Sequence, residues 1–529
     1  MELTLKKRLG ELFTALDVTC RQDVLDLEVG GVTDDSRQVL PGMLFVAVAG
    51  DTVDGHRFIN AAVARGCAAV LASHEFAEAC AVPVVTVADT AAALGHVAAA
   101  FFDYPCRRLK MVGITGTNGK TTCTYLLEGL IRATGGSPGV IGTVSIRYAG
   151  YESPAALTTP QPVELQQTLY RMAEAGVTHV AMEVSSHALA RHRVNGIRFD
   201  VALFTNMTRD HLDFHGSMEN YFSEKEKLFT SYLKKGGKGV IVLGPAAGKP
   251  GGDVQWCGRL VQALTAGNQP FLTCGIGCGV VQAGNFRFDL QGIEAGIVSP
   301  GERSTLHSPL VGAFNLKNLL GVIGSGLALG YDLPTVCRGV AGVTGVPGRL
   351  ERVVPESDRR REGKEAATVF VDYAHTPDAL ENVLLTLREL GPARLIVVFG
   401  CGGDRDKGKR PLMGGVAARL ADVLLVTSDN PRSEPPLRIM AEIVQGIEQE
   451  KVPRVNGAQL MLGTGEKGYD MIEERAEAIR IAIRGAQAGD VVLISGKGHE
   501  CYQIIGDRRL FFDDRQHAKE QLEMARQAA

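Results

Sequence analysis

The sequence predicts an α/β protein of three domains, in which mostly parallel sheets carry helices on their faces. Three observations support this prediction. Short apolar runs, typical of buried parallel strands, alternate with helical stretches along most of the chain. A glycine-rich turn at residues 113–119 connects one apolar run to a helix. The chain has 529 residues, 45% of them hydrophobic and 22% charged, which is enough material for several globular cores.

Residues 1–105 are predicted to form a small N-terminal α/β domain. Two β-like runs, Leu44–Val48 and Val84–Val87, stand on either side of an alanine-rich helical segment, Ile59–Arg65. The block ends near the dipeptide Tyr104-Pro105, after which the sequence enters the region of the glycine-rich turn.

Residues 106–345 are predicted to form a central domain of the P-loop ATPase type. The glycine-rich turn stands near its start, between the apolar segment Leu109–Ile114 and the helical segment Thr121–Arg132. Further strand candidates, which alternate with helical segments, lie at residues 177–184, 201–205 and 239–243. This alternation predicts a largely parallel sheet.

Residues 346–529 are predicted to form a Rossmann-like C-terminal α/β domain. Its predicted elements are a helix at residues 379–390 and strands at residues 368–371, 395–399, 423–427 and 491–494. Polar loops at residues 400–405, 429–432 and 496–500 follow three of these strands. Because ligands of open α/β sheets bind beyond the carboxyl ends of the strands, we expect these loops to share one crevice. The charged segment 356–365 is most simply a solvated loop.

The overall composition favours small-molecule partners in the cytoplasm. A net charge of −3 without a long basic run argues against nucleic acid and anionic membranes as partners. The 11 cysteines are scattered, and the close pair Cys274 and Cys278 lacks the second pair that a zinc site needs. The N-terminal residues lack the apolar core of a signal peptide, and the sequence contains no membrane-spanning stretch.

The glycine-rich turn is predicted to bind a nucleoside triphosphate. Small residues such as Gly116 and Gly119 let backbone N–H groups approach phosphate oxygens at the start of the following helix. Lys120 adds a positive charge, and the Thr121 hydroxyl is a suitable ligand for Mg²⁺. The spacing departs from the strict P-loop pattern, because Ile114 stands where the first glycine would be.

Two further polar segments are expected close to this turn. Glu183 follows a predicted strand, and residues 210–215 contain Asp210, His211, Asp213 and His215. Glu183 and His211 are candidate ligands for the Mg²⁺ that neutralises phosphate charge during phosphoryl transfer. Taken alone, the segment 210–215 is also compatible with a transition-metal hydrolase or with solvated loop residues.

Together these segments resemble the Mur ligase family of peptidoglycan assembly. The resemblance covers nearly the whole chain and is carried by residues 33–37, 116–122, 158–160, 183–187, 192–193, 312–318, 347–351, 372–377 and 429–432. It implies an N-terminal domain for a uridine nucleotide, a central ATPase domain, and a C-terminal domain that closes over ATP and an incoming amino acid.

The resemblance also implies contacts with two of the substrates. The expected ATP contacts are Gly116, Thr117, Asn118, Gly119, Lys120, Thr121, Thr122, Asn318, Arg349, Asp372 and His375. The expected contacts with the nucleotide substrate, UDP-N-acetylmuramoyl-L-alanyl-D-glutamate, are Ser36, Asp51, Thr52, Val53, Thr158, Thr159, Ser185, Arg191 and Arg193. Arg191 and Leu157 stand where some relatives have glutamine and asparagine, so this sequence departs from the family pattern at both positions.

The family carries a lysine that CO₂ converts to a carbamate, and Lys225 stands at the matching position, with Lys227 as a rival. A bare ammonium beside Mg²⁺ would repel the ion, whereas a carbamate supplies oxygen ligands. The implied Mg²⁺ ligands are therefore Thr121, Glu183, His211 and carbamylated Lys225, and the implied catalytic residues are Lys120, Glu183, His211 and Lys225.

The implied reaction uses ATP as a co-substrate to phosphorylate the D-glutamyl γ-carboxylate, and an amine then displaces phosphate from this acyl phosphate. The incoming amino acid is meso-diaminopimelate or L-lysine, which differ by one distal carboxylate. Arg432 and Arg405 favour the dicarboxylic substrate, since a guanidinium fork binds a carboxylate and repels an ammonium. Asp429, Asn430, Pro431, Gly496 and Glu500 are expected to complete this site, although Pro435 departs from the acidic residue common in the motif.

Three alternatives are weighed against this interpretation. An L-lysine-adding Mur ligase would share nearly every motif. A folyl-polyglutamate synthetase would lack the Asp429–Arg432 motif and the first domain. A P-loop switch or motor ATPase would cleave ATP without a peptide precursor or an amino acid. We expect the protein to be a monomer.

Overall fold

The computed structural model describes residues 5–50, 53–76, 78–244, 253–355, 367–463 and 467–527. The chain divides into two compact units: the first is Met1–Asn285, Ala295–Leu306 and Lys317–Gly342, and the second is Phe286–Glu294, His307–Leu316 and Val343–Ala529. The predicted boundary at residue 105 lies inside the first unit, so it stays a prediction. The predicted solvated loop at residues 356–365 lies outside the described residues.

The N-terminal part of the first unit is a small α/β layer. Its sheet has four parallel strands in the order β3-β4-β5-β6. The elements are β1 (Lys7–Arg8), α1 (Leu9–Leu12), β2 (Glu28–Val29), β3 (Val32–Thr33), β4 (Leu44–Val46), α2 (Ile59–Ala64), β5 (Ala69–Ser73), β6 (Val84–Val87) and α3 (Thr90–Phe101). The two predicted strands and the predicted helix of this region are confirmed, because β4, β6 and α2 overlap them.

The central sheet has 11 strands in the order β10-β9-β8-β11-β7-β12-β13-β14-β15-β16-β17. The strands are β7 (Lys110–Thr115), β8 (Pro138–Ile141), β9 (Ser145–Tyr148), β10 (Tyr151–Pro154), β11 (His179–Glu183), β12 (Phe199–Phe204), β13 (Leu233–Val242), β14 (Phe271–Ile276), β15 (Val281–Asp289), β16 (Gly292–Ser299) and β17 (Glu302–Ser308). The helices are α4 (Lys120–Ala133), α5 (Pro162–Glu174), α6 (Ser186–Ala190), α7 (Leu212–His215), α8 (Met218–Thr230), α9 (Asp253–Ala266), α10 (Ala313–Ala328) and α11 (Leu333–Ala341).

The polar loops of this region follow strand β7 and its two neighbouring strands. Strand β7 pairs in parallel with β11 on one side and with β12 on the other, and all three strands are buried apolar segments. The carboxyl ends of the three strands therefore meet at one edge of the sheet, where the chain continues into Gly116, Glu183 and Thr205. The predicted parallel arrangement is confirmed for this part of the sheet.

The second unit contains a six-stranded sheet in the order β18-β19-β23-β20-β21-β22, parallel except at β18. Its strands are β18 (Glu351–Arg352), β19 (Thr368–Asp372), β20 (Leu395–Phe399), β21 (Val423–Val426), β22 (Gly468–Met471) and β23 (Val491–Ser495), and a separate hairpin consists of β24 (Tyr502–Ile505) and β25 (Arg508–Phe511). The helices are α12 (Pro377–Glu389), α13 (Lys409–Leu420), α14 (Pro436–Gln449), α15 (Gly457–Met461), α16 (Arg475–Arg484) and α17 (Asp514–Gln527).

The four central strands of the six-stranded sheet are fully buried, which explains their continuous valine, leucine and isoleucine runs. Helices α12, α13 and α14 contribute to the core on one face, and α16 and α17 contribute to the core on the other. All four strands predicted for this region are confirmed. The loops that follow β19, β23, β20 and β21 consequently lie at one edge of the sheet.

Candidate functional site

The glycine-rich loop needs its two glycines for steric reasons. Gly116 and Gly119 both have positive φ, 145° and 86°. A Cβ on Gly116 would lie 1.9 Å from Thr205 Oγ1, and a Cβ on Gly119 would lie 2.3 Å from Asn318 Oδ1. Any larger side chain would therefore be strained and would push neighbouring polar atoms away.

The loop is held in shape by the segment that follows β12. Thr117 N–H donates to the Asn206 carbonyl (3.0 Å), and Asn118 N–H donates to Asn206 Oδ1 (2.9 Å). Thr205 Oγ1 donates to the Asn118 carbonyl at 2.6 Å. These contacts hold the backbone of the turn in one conformation. No role was predicted for Thr205 or Asn206 from the sequence.

Two lysines converge on one carbonyl of this loop. Lys120 Nζ donates to the Gly116 carbonyl (2.9 Å) and to the Thr117 carbonyl (2.8 Å). Lys225 Nζ also donates to the Gly116 carbonyl, at 2.9 Å. Thr121 and Thr122 are buried in the first turn of α4. The structure thus brings Lys225 into the phosphate loop.

Lys225 and its rival Lys227 have opposite environments. Lys225 is 1% exposed, and its Nζ lies 4.4 Å from the centre of the Tyr221 ring. Burial, assisted by the charge of Lys120, holds the pKa of Lys225 well below its usual value, which favours the neutral amine. Lys227 is partly exposed and pairs with Glu224 at 2.7 Å.

Glu183 stands at the end of β11 and is 1% exposed. Its Oε1 accepts the Thr143 N–H (2.9 Å), and its Oε2 accepts the Thr143 hydroxyl (3.0 Å). Each carboxylate oxygen keeps a further lone pair for another ligand. Thr143 was not predicted from the sequence, because nothing in the sequence relates residues 143 and 183.

His211 lies in a cluster of aromatic and imidazole rings. Its ring centre is 4.8 Å from that of His187, and His187 is 5.4 Å from His215 and 4.3 Å from Phe214. Burial is the main cause that lowers the pKa of all three histidines, that of His187 to about 4. The imidazoles are therefore neutral near pH 7, the state in which they bind metal ions. Asp210 Oδ2 is 3.4 Å from His211 Nε2.

Among the residues that the structure describes, no three His, Cys, Asp or Glu side chains converge on a point that suits a metal ion. A transition-metal hydrolase site at residues 210–215 is not supported by this geometry. Of the predicted Mg²⁺ ligands, Glu183 and His211 are side chains of the types His, Cys, Asp or Glu. The other two, the Thr121 hydroxyl and carbamylated Lys225, are not.

The predicted contacts with the nucleotide substrate lie in several places. Thr159 Oγ1 donates to the Glu183 carbonyl (2.9 Å) and accepts the Ser185 N–H (3.2 Å). Arg193 donates to the Thr159 carbonyl (3.1 Å), and Thr158 Oγ1 contacts Thr143 Oγ1 (3.0 Å). These residues form one polar group that is connected to Glu183 through its backbone carbonyl and through Thr143.

Among the other predicted residues that the structure describes, Ser36 and Val53 lie apart from this group, and Arg191 lies within the aromatic cluster. Arg191 stacks over the Phe214 ring at 5.1 Å. In the N-terminal sheet region, Ser36 begins a short 3₁₀ turn and is partly buried, and Val53 is 48% exposed. Asp51 and Thr52 lie outside the described residues.

The predicted ATP contacts of the second unit are close to one another. Asp372 is buried at the end of β19 and accepts the N–H groups of Leu350 (2.6 Å) and Ala374 (2.7 Å). The Arg349 guanidinium lies over the Tyr373 ring at 4.9 Å, and the His375 and Tyr373 ring centres are 4.6 Å apart. Burial raises the pKa of Asp372 despite the nearby charge of Arg349.

The loops at 400–405, 429–432 and 496–500 meet, as predicted. Arg432 has a positive φ of 52°, and its guanidinium donates to the Gly403 carbonyl at 2.8 Å. Asn430 Nδ2 donates to Glu500 Oε2 at 3.1 Å. A Cβ on Gly402 would lie 3.0 Å from Arg432 Nη1 and 3.7 Å from Arg405 Cγ, so both arginines stand beside this glycine. Pro431 connects Asn430 to Arg432 and is buried.

The floor of this crevice contains a buried lysine that the sequence analysis left unassigned. Lys497 is 0% exposed, and its Nζ lies 3.1 Å from Asp429 Oδ1 and 2.9 Å from Asn430 Oδ1. Gly496 has φ 120°, and a Cβ there would lie 3.0 Å from Asp429 Oδ2. The position of Lys497 within the predicted polar loop 496–500 was a signal that sequence reasoning could have used.

Three family models match the chain in order. They are the Mur ligase family catalytic domain at residues 28–102, the Mur ligase middle domain at residues 114–326, and the Mur ligase glutamate ligase domain at residues 348–498. In the part of the chain that the structure describes, no helix is both long enough and apolar enough to cross a membrane.

Relatives match along the whole chain. A UDP-N-acetylmuramoyl-L-alanyl-D-glutamate--2,6-diaminopimelate ligase of Geobacter sulfurreducens is 43% identical over 512 residues, which cover 97% of this chain and 98% of that protein. A solved structure of a ligase of the same name aligns with a TM-score of 0.70 at 30% identity, covering 99% of this chain and 100% of its own. Folylpolyglutamate synthase of Mycobacterium tuberculosis aligns with a TM-score of 0.58 at 19% identity over 77% of this chain and 92% of its own, a likeness of fold alone.

Proposed function

Because the chain belongs to the Mur ligase family, we propose that it joins meso-diaminopimelate to the D-glutamyl γ-carboxylate of UDP-N-acetylmuramoyl-L-alanyl-D-glutamate, with cleavage of ATP to ADP and phosphate. The observation that carries this proposal is the meeting of Arg432, Asn430 and Glu500 in one crevice, in a chain whose phosphate loop holds two lysines. We further propose that the protein acts in the cytoplasm as a monomer.

ATP is needed because a carboxylate is a poor electrophile with a poor leaving group. The γ-phosphoryl group passes to the carboxylate oxygen, the amine attacks the resulting acyl phosphate, and inorganic phosphate leaves. The turn at Gly116–Gly119 presents its backbone N–H groups and the N-terminus of α4 to the phosphates. Lys120 exchanges its loop carbonyl partners for phosphate oxygens and stabilises the charge of the transferring group.

Lys225 suits modification by CO₂. Only a neutral amine attacks CO₂, and the burial of Lys225 and the nearby charge of Lys120 favour that form. The amine forms an N–C bond, loses a proton and becomes a carbamate. Thr121, Glu183, His211 and carbamylated Lys225 would hold Mg²⁺, which supplies positive charge against the phosphates when it is bound.

The remaining predicted residues keep their roles in this proposal. Thr158, Thr159, Ser185 and Arg193 form the polar group connected to Glu183, so we assign them to the acyl end of the nucleotide substrate. Asn318 stands beside Gly119, and we assign it to ATP together with Arg349, Asp372 and His375. Arg432 and Arg405 are assigned to the distal carboxylate of the amino acid.

The test is product formation with competing amino acids. The full chain is incubated with ATP, Mg²⁺ and the UDP-muramoyl dipeptide, and with either meso-diaminopimelate or L-lysine, and the products are followed by mass spectrometry and phosphate release. We expect an amide product with diaminopimelate and little with lysine. Phosphate release that needs no amino acid would instead support a switch or motor ATPase, and equal incorporation of lysine would overturn the assigned specificity.

A further inference from the structure

Lys497 makes three polar contacts although its side chain is completely buried. Its Nζ donates to Asn430 Oδ1 (2.9 Å) and to the Tyr502 carbonyl (2.8 Å), and it lies 3.1 Å from Asp429 Oδ1. Two of these contacts are hydrogen bonds, and the third is an ion-pair contact, since Asp429 Oδ1 accepts no hydrogen bond among the described residues. Burying an ammonium costs free energy, and these three oxygen partners compensate that cost. They also fix the position of Lys497 Nζ.

The contact with Lys497 fixes the orientation of the Asn430 amide. Lys497 Nζ and the Ile504 N–H (3.0 Å) both meet the same atom of Asn430, and both can only donate. That atom must consequently be the oxygen, and the nitrogen points the other way, toward Glu500. The second N–H of Asn430 has no hydrogen-bond partner among the described residues, which leaves it available to a ligand.

Lys497 also compensates the charge of this cluster. Asp429 is a buried carboxylate, and the partly exposed carboxylate of Glu500 belongs to the same cluster. Arg475 lies nearby, but two hydrogen bonds of 2.7 Å tie it to Asp514. Within the described residues, Lys497 is the cation in ion-pair contact with Asp429. Burial works against an ionised Asp429, yet the charges of Lys497 and Arg475 outweigh it and lower the pKa of Asp429.

We propose that Lys497 is a positioning residue for amino-acid recognition, which holds the Asn430 amide with its nitrogen toward the incoming amino acid. This inference rests on the proposed function and adds a residue that itself does not touch the substrate. It implies that Lys497 acts through Asn430, so that removing either one costs the same interaction.

The test is a double-mutant cycle on the full chain. Lys497→Met removes the charge at similar length, Asn430→Ala removes the amide, and the third variant combines both. We expect Lys497→Met to raise the KM for diaminopimelate by about tenfold or more, with the KM values for ATP and the UDP-muramoyl dipeptide nearly unchanged. We also expect the double variant to be no worse than Asn430→Ala alone. Lys467→Met, a partly exposed lysine of the same unit, is the matched control.

Lys497→Met leaves Asp429 without its contacting cation, so a second route compares Lys497→Met/Asp429→Asn, in which the buried pair is neutral, with Asp429→Asn alone, because Asp429 is itself assigned to the amino-acid site. Lys497→Met/Asp429→Asn should fold and show the same selective rise in KM relative to Asp429→Asn. An equal rise for all three substrates, or additive effects in the cycle, would overturn the inference in favour of a merely structural role. If the wild type is active and folded Lys497 variants keep its KM, this inference alone fails, whereas a wild type that forms no amide overturns the proposed function and the inference with it.

Discussion

Lys120 and Lys225 donate hydrogen bonds to the same acceptor, the Gly116 carbonyl, each at 2.9 Å. One of these amines is buried, and two positive charges so close together repel each other. The arrangement therefore favours a neutral Lys225 beside a charged Lys120. It suits the different roles proposed for the two lysines, Lys120 as a phosphate ligand and Lys225 as the amine that reacts with CO₂.

This relationship predicts that Lys225→Ala lowers kcat by about 100-fold or more, because the variant cannot form the carbamate proposed as a Mg²⁺ ligand. The measurement is steady-state phosphate release at saturating substrates. The matched control is Lys227→Ala, which removes a partly exposed lysine paired with Glu224 and should leave kcat within about twofold of the wild type.

Depletion of CO₂ tests the same role without a mutation. Wild-type activity should fall in CO₂-free buffer and return when bicarbonate is added, while Lys225→Ala should respond to neither treatment. Full activity of Lys225→Ala, or a decline in the wild type that bicarbonate does not reverse, would remove the carbamate from the proposal.

Gly119→Ala should raise the KM for ATP by about tenfold or more, because a Cβ at this position displaces Asn318 and strains the loop. Gly135→Ala is the matched control, since Gly135 has a similar φ of 78° but nothing within 4 Å of the added Cβ. The control should lose about 1 kcal/mol of stability and keep its ATP affinity. Equal losses of ATP affinity in both variants would contradict the steric explanation.

Arg432→Ala should raise the KM for diaminopimelate by about 10- to 100-fold and leave the KM for ATP nearly unchanged, because the guanidinium fork is assigned to the distal carboxylate. The measurement is a full kinetic comparison with each substrate varied in turn. Arg438→Ala, which removes a largely exposed arginine at the start of α14, is the control. A parallel rise for both substrates would mean that Arg432 supports the loop rather than the amino acid.

The strands that frame the site could be predicted because they are buried on both faces and read as continuous apolar runs. Strands β14–β17 were not predicted, and most residues of β15 are polar or exposed, which gives a weak strand signal. Contacts such as Thr143 with Glu183 could not be predicted, since they depend on how distant segments pack.

The helical pattern of the sequence could have identified Lys225, and not Lys227, as the buried lysine. On α8 the buried positions are Tyr221, Phe222, Lys225, Leu228 and Phe229. Their spacing of three and four residues defines one apolar face that includes Lys225 and excludes Lys227. A lysine on the apolar face of a helix indicates a functional position, because burying its charge is costly.

We predict that His499 makes the folding stability of the second unit sensitive to acid. It packs against Tyr373 at 5.2 Å, and burial together with the charges of Arg349 and Arg515 lowers its pKa from 6.5 to about 4. Between these two pH values the unfolded chain binds the proton and the folded chain does not, so folding stability falls as the pH decreases. His499→Phe keeps an aromatic ring without the titration, and chemical denaturation at about pH 7 and about pH 4.5 should therefore show a smaller loss of stability in the variant. An identical loss in both proteins would show that His499 does not carry this sensitivity.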